Sequence, residues 1–192
     1  GTGQWSFNSN PDGLGAISDI NSRTSLFTGT PGQSYVLTWT IANGTCAPSA
    51  SNVTITFNQS PTAANAGVDQ NFCGTTVTLG ANAPGVGTGA WSFVINPDGL
   101  PLTAFTNINS PTSDFTGTPG ETYVLRWTIS NGVCAPSSDE VQIRLDEAPT
   151  ASVAGVNQTI CGTSTNLNGN APAIGTGQWS FNSNPDGLGA IS

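Results

Sequence analysis

What most constrains this chain is that it repeats itself. Residues 22–57 align without a gap on residues 110–145 at an offset of 88, which sets Tyr35 on Tyr123, Trp39 on Trp127 and Cys46 on Cys134. The same offset carries Cys73 onto Cys161, and a Gly-Thr-Gly-x-Trp-Ser-Phe block recurs at Trp5, Trp91 and Trp179. Self-similarity at a fixed period of this size marks a tandem array of modules, each a unit of about 87 residues. Residues 1–18 reappear unchanged as residues 175–192, an offset of 174, whereas the middle copy differs. The higher-order period is therefore a pair of non-identical units. With Pro61 and Pro149 marking the junctions, residues 1–62 are expected to be the C-terminal part of one repeat, 63–149 a complete repeat, and 150–192 the N-terminal part of the next. A chain that begins and ends mid-repeat on the same eighteen residues reads as a fragment of a longer array.

Inside the complete copy, apolar and polar residues alternate with the period of a half-buried strand. Tyr123, Leu125, Trp127 and Ile129 share one face while Val124, Arg126 and Thr128 share the other. Val141, Ile143 and Leu145 alternate with Gln142 and Arg144; Val77 and Leu79 alternate with Thr76 and Thr78; Trp91 and Phe93 share a side. Adding weaker segments at 65–72, 104–108 and 113–118 gives about seven short strands between Gly, Pro and Asn clusters, the pattern of an immunoglobulin-like β-sandwich. No apolar stripe of 3.6-residue period is long enough for a helix. The fold class expected is all-β: tandem immunoglobulin-like β-sandwich repeats of about 87 residues.

Composition narrows the chemistry. There is no His, Lys or Met, and only 7% of residues are charged. Without His there is no imidazole base for a Ser or Cys nucleophile, and without Lys no Schiff base. The paired-carboxylate route of glycosidases stays formally open through Asp12, Asp98 and Asp114, yet each sits in turn-like sequence. The chain is expected not to be an enzyme. Eleven acids against three arginines (Arg23, Arg126, Arg144) give a net charge of -8, which disfavours nucleic acid and anionic membrane, whose phosphates need clustered cations. No run approaches the ~20 apolar residues of a membrane-crossing helix and no signal peptide opens the chain. A soluble segment is expected, with any export signal outside this window.

The run Asn65-Ala-Gly-Val-Asp-Gln70, then Thr76-Val-Thr-Leu79, and above all the stretch from Ser110 to Leu145 with its Pro119-Gly-Glu-Thr-Tyr-Val-Leu-Arg-Trp127, resemble the PKD-like and Ig-like repeats of giant surface adhesins of Bacteroidota. The resemblance covers the whole chain. It implies secretion by a type IX route, an extracellular location at the cell surface, and an adhesive or stalk role. The third copy reads Val153-Ala-Gly-Val-Asn-Gln158 and so lacks the Asp, which speaks against Asp69 as an obligatory ligand.

Each candidate site has a structural reading beside its functional one. Trp5, Trp39, Trp91, Trp127 and Trp179 could be sugar-stacking platforms, but their shared faces with Tyr, Ile and Phe point to core positions. Tyr35 and Tyr123 occupy the place of a tyrosine corner. The Asn-Pro-Asp-Gly segments at 10–13, 96–99 and 184–187 offer oxygen ligands for calcium, yet hold one carboxylate apiece and are ordinary turn sequence. Asp139-Glu140 and Asp146-Glu147 are not kept in the other copies. No catalytic residue, cofactor or metal is expected.

Four cysteines, two per repeat, in a chain with the marks of export suggest oxidised pairs. Two connectivities respect the repeat: Cys73–Cys134 within the complete copy, or Cys46–Cys73 and Cys134–Cys161 across the junctions. The first is preferred because it ties an early strand to a late one, although an ideal sandwich puts those two loops at opposite ends. Two functional readings follow. The leading one is a structural or adhesive repeat of a stalk or filament, whose partners are neighbouring repeats, self-association, and a surface glycan or cell-surface ligand reached through regions outside this window. The alternative is a polysaccharide-binding accessory module of a secreted enzyme.

Overall fold

The structure, a computed structural model, describes residues 1–183 and Gly187. The third Asn-Pro-Asp-Gly segment and the end of the 175–192 repeat therefore fall largely outside the described residues. Five strands lie in the first 62 residues: β1 (Thr2–Ser9), β2 (Ala16–Ile17), β3 (Phe27–Thr28), β4 (Ser34–Ala42) and β5 (Ser49–Thr56). Six follow between residues 70 and 146: β6 (Gln70–Cys73), β7 (Thr76–Thr78), β8 (Thr88–Ile95), β9 (Asp114–Thr116), β10 (Thr122–Ser130) and β11 (Ser137–Asp146). The strands pair as one sheet β1-β4-β5 with a small pair β2-β3, and one sheet β6-β11-β10-β8 with a small pair β7-β9. No strand pair joins residues 1–62 to residues 63–149 among the described residues.

The second set is an immunoglobulin-like β-sandwich. Its first strand runs parallel to its last, with Ile143 opposite Gln70 and Asp146 opposite Cys73, while β10 pairs antiparallel with both β11 and β8. The β7-β9 pair covers the inner face, and Val77 and Phe115 face each other across it. Alternation along β10 places Tyr123, Leu125, Trp127 and Ile129 fully inside, and along β11 Val141, Ile143 and Leu145. With Ala66, Val77, Leu79, Trp91, Phe105 and Phe115 they form one closed cluster that draws every member from residues 66–145. Burying each of the larger side chains stabilises the fold by roughly 1.5–3 kcal/mol before conformational entropy is set against it.

Two weaker segments differ from the sequence expectation. Residues 65–72 form only a short strand at their end, because the earlier amides are taken by side chains. Ala64 N–H donates to Ser137 Oγ (2.9 Å), Ala66 N–H to Asp139 Oδ2 (2.8 Å), and Asp69 Oδ1 accepts from Gln142 N–H (2.8 Å). The segment 104–108 follows a 3-10 turn, Leu102–Ala104, that starts after Pro101, which has no N–H to give a ladder. Only a single bridge from Phe105 to Phe115 remains.

The first set repeats the geometry of the second. Trp5 N–H donates to Ile20 O and Trp91 N–H to Ile108 O; Trp5 Nε1–H donates to Ser22 O and Trp91 Nε1–H to Ser110 O. Against β5 and β3, however, stands no equivalent of β6 or β7 among the described residues. Trp39 is accordingly half-buried where Trp127 is fully buried, and Ile41 and Val53 are exposed where Ile129 and Val141 are buried. Residues 150–183 carry no strand, yet Val153 and Asn170 exchange the hydrogen bonds that Asn65 and Asn82 make. Trp179 there is exposed rather than in a core.

Candidate functional site

The carboxylates of the Asn-Pro-Asp-Gly turns go to tyrosines. At the end of β8 the turn closes with Gly99 at φ 68°, a left-handed conformation that suits glycine. Asn96 clamps it, its Oδ1 accepting from Leu100 N–H and its Nδ2 donating to Leu100 O. Asp98 Oδ2 then accepts from Tyr123 Oη (2.8 Å) and from Thr118 Oγ1 (2.6 Å), while Tyr123 Oη accepts from Thr118 N–H (2.9 Å). The same knot recurs in the first set, where Tyr35 Oη donates to the Asp12 carboxylate (2.9 Å) and accepts from Thr30 N–H (2.9 Å). Hydrogen bonds from the Thr118 hydroxyl, then from Tyr123, hold the Asp98 carboxyl below the usual carboxylate range. The Thr30 hydroxyl, Leu14 N–H and Tyr35 do the same for Asp12. Burial, with Asp98 beside it, pushes the Tyr123 phenol up. These turn oxygens are thus committed to structure rather than assembled around a cation.

Four further acids are engaged as well. Glu140 pairs with Arg126 (2.6 Å) and Asp146 with Arg144 (2.7 Å), both exposed, and Asp139 and Asp69 hold backbone amides. Among the described residues no group of three or more His, Cys, Asp or Glu side chains is placed to hold a metal. A shallow depression of about 470 Å³ is lined by Pro84, Gly87, Thr88, Gly89 and Asn109, with no acid or base in it. No helix among the described residues is long and apolar enough to cross a membrane.

The aromatic candidates Trp91, Trp127, Tyr35 and Tyr123 are buried and Trp39 half-buried. Trp91 and Trp127 meet at 5.1 Å and 45°, Trp5 and Trp39 at 4.9 Å and 46°. Sequence reasoning passed over the glycine that makes this possible. A Cβ on Gly89 would overlap the six-membered ring of Trp127, and one on Gly3 that of Trp39. Gly117 and Gly29 make the same room for Tyr123 and Tyr35. The signal was present in the Gly-Thr-Gly-x-Trp block, whose second glycine recurs with the tryptophan.

All four cysteines are free thiols. Cys73 closes β6 beside Asp146, whereas Cys134 lies in the turn that enters β11 at Ser137. The length of β11 separates them by roughly 30 Å at ~3.3 Å per residue, against the ~7 Å that a bridge spans. The preferred Cys73–Cys134 bridge is not formed, because the first strand pairs parallel to β11 at its far end. Cys134 lies instead at the boundary with the first set: its Sγ–H donates to Asn58 O (3.6 Å) and Asn131 Nδ2 to Gln59 O (2.8 Å).

No protein-family model matches the chain, and no curated protein matches it. Solved structures do. The solution structure of a PKD domain is 23% identical over 48% of this chain and 92% of its own, with a TM-score of 0.39. Extracellular domains 3–5 of Drosophila OTK are 14% identical, with 74% of this chain and 50% of that one covered and a TM-score of 0.46. The insect immune protein hemolin, described as a domain arrangement with implications for homophilic adhesion, is 17% identical over 76% of this chain and 39% of its own, with a TM-score of 0.41. At these identities the likeness is one of fold.

Proposed function

We propose that this chain is a non-catalytic run of extracellular spacer repeats in a longer surface protein, a stalk or filament of the kind that Bacteroidota adhesins resembling it carry to the cell surface. Residues 63–149 are one complete repeat, 1–62 the end of the one before and 150–192 the start of the one after. The observation that carries this reading is the seam between the first two. The Asn131-Gly-Val-Cys134 turn, which opens β11, sits on the Asn58 and Gln59 carbonyls that follow β5. Gly132 has φ 56°, and a Cβ there would run into Asn58. The turn Asn43-Gly-Thr-Cys46 recurs at the head of the first repeat, so the same kind of turn is available for a preceding junction. A head-to-tail contact of this kind leaves each repeat a free end for the next, and where its rotation does not close into a ring it generates a line of units.

The glycan-binding alternative has a direct test. A spacer stays in the supernatant when mixed with insoluble cellulose, chitin or xylan. Retention that disappears in Trp5→Ala or Trp39→Ala, with the fold intact by near-ultraviolet circular dichroism, would replace this reading with a binding module.

A further inference from the structure

The two cysteines of the complete repeat lie at its opposite ends, Cys134 at the seam with the first set and Cys73 beside Asp146. Within the complete repeat, Cys73 stands in register with Asp146, on a neighbouring strand ~4.8 Å away. The repeat offset of 88 makes Asn58 the counterpart of Asp146. A repeat that ends at Asn58 therefore sets its own first cysteine beside Asn58, as Cys73 sits beside Asp146. The thiol of Cys134, from the following repeat, reaches that same residue, 3.6 Å from its carbonyl oxygen. One cysteine of each kind is thus directed to the same residue from the two sides of the junction, and a disulfide needs such a close approach.

We infer that the array is stapled by disulfides across its junctions, each joining the first cysteine of one repeat to the second cysteine of the next. This rests on the array reading above. Cys73 would pair with the next copy of Cys46, Cys161 with the next copy of Cys134, and Cys134 with a preceding copy of Cys161. In forming each bond two thiols lose two protons and two electrons to a low-molecular-weight disulfide, which is cleaved to two thiols. The pairings Cys46–Cys73 and Cys134–Cys161 within this chain are excluded by the same geometry. Cys46 lies at the head of its repeat and Cys73 at the tail of the next, with the bodies of both between them. A disulfide here closes a loop of more than a whole repeat and removes the swivel at each junction, so the line of sandwiches becomes a covalently continuous edge.

The test is a count of free thiols on folded monomer, after equilibration with oxidised glutathione, in two chains: residues 1–192, and residues 1–174 joined directly to residues 1–192, which continues the natural 174-residue period. The longer chain holds eight cysteines, twice the four of this one. Junction staples predict four free thiols in the short chain and four in the long one. The long chain should also yield linked peptides joining Cys73 to the second Cys46 and Cys161 to the second Cys134. Pairing within each repeat would leave two free thiols in each chain, and pairing of sequence neighbours would leave none; either overturns the inference. Eight free thiols in the long chain would overturn it as well. None of these counts depends on whether the chain forms an extended line, so the array reading stands or falls on shape measurements of its own.

Discussion

Tyr123 is fully buried, and its hydroxyl still makes two hydrogen bonds, one to the carboxylate of a turn 25 residues earlier. Tyr123→Phe keeps the ring and leaves Thr118 N–H and Asp98 short of a partner, so a loss of about 1–2 kcal/mol is expected in urea unfolding. Phe restoring full stability would show that the hydroxyl is dispensable. The carboxylate end carries a pH signature. The folded values of Asp98 and Asp12 lie below their unfolded ones, so their contribution is present above the ordinary carboxylate value of about 3.9 and is lost as pH falls through the folded value. The phenol of Tyr123 is raised, so its contribution is present below its ordinary value of about 10 and is lost as pH rises through the folded value. The melting temperature should therefore fall on both flanks, and Asp98→Asn should flatten the acid one. An unchanged acid flank in that variant would contradict the role given to the turn. This knot was only half legible in the sequence. The turn and the tyrosine each recur between repeats, but nothing in local spacing says that they touch; that information lies in the closure of the sandwich.

At the scale of single elements, β10 was legible because period-2 alternation with large side chains leaves one face no choice but the core. The edges were less so. Residues 65–72 read as strand, yet the amides of Asn65, Ala66 and Gly67 are satisfied by the side chains of Asn82, Asp139 and Asn65, a substitution that alternation does not encode. Strand β8 shows the reverse case, in which a glycine fixes the packing. Because a Cβ at Gly89 would fall inside the Trp127 ring, Gly89→Ala should push the indole aside and cost about 1–3 kcal/mol, as overpacking does. Thr88→Ala beside it, on an exposed position, should stay within about 0.5 kcal/mol. Equal effects from the two variants, read by denaturant midpoint, would remove the glycine from the account.

For the whole molecule, the repeat offset leads to the expectation of a line of units, whereas the direction of each cysteine is legible only from the parallel pairing of β6 and β11. Sparse carboxylates, with those of Asp12 and Asp98 engaged by tyrosines, predict that a chelator leaves the melting temperature within about two degrees, because a bound cation would stabilise the folded state by mass action. A large calcium-dependent rise would contradict that. The central claim is that the repeats are spacers laid end to end, and its most direct measurement is the maximum dimension by small-angle X-ray scattering of chains with increasing numbers of 174-residue periods. The ten residues of β11 with their end loops set an axial advance of roughly 35–45 Å per repeat. The account predicts a length that grows in proportion to repeat number by that increment while the cross-section stays constant. A maximum dimension that rises only with the cube root of mass, as for repeats collapsed around a shared core, would contradict it.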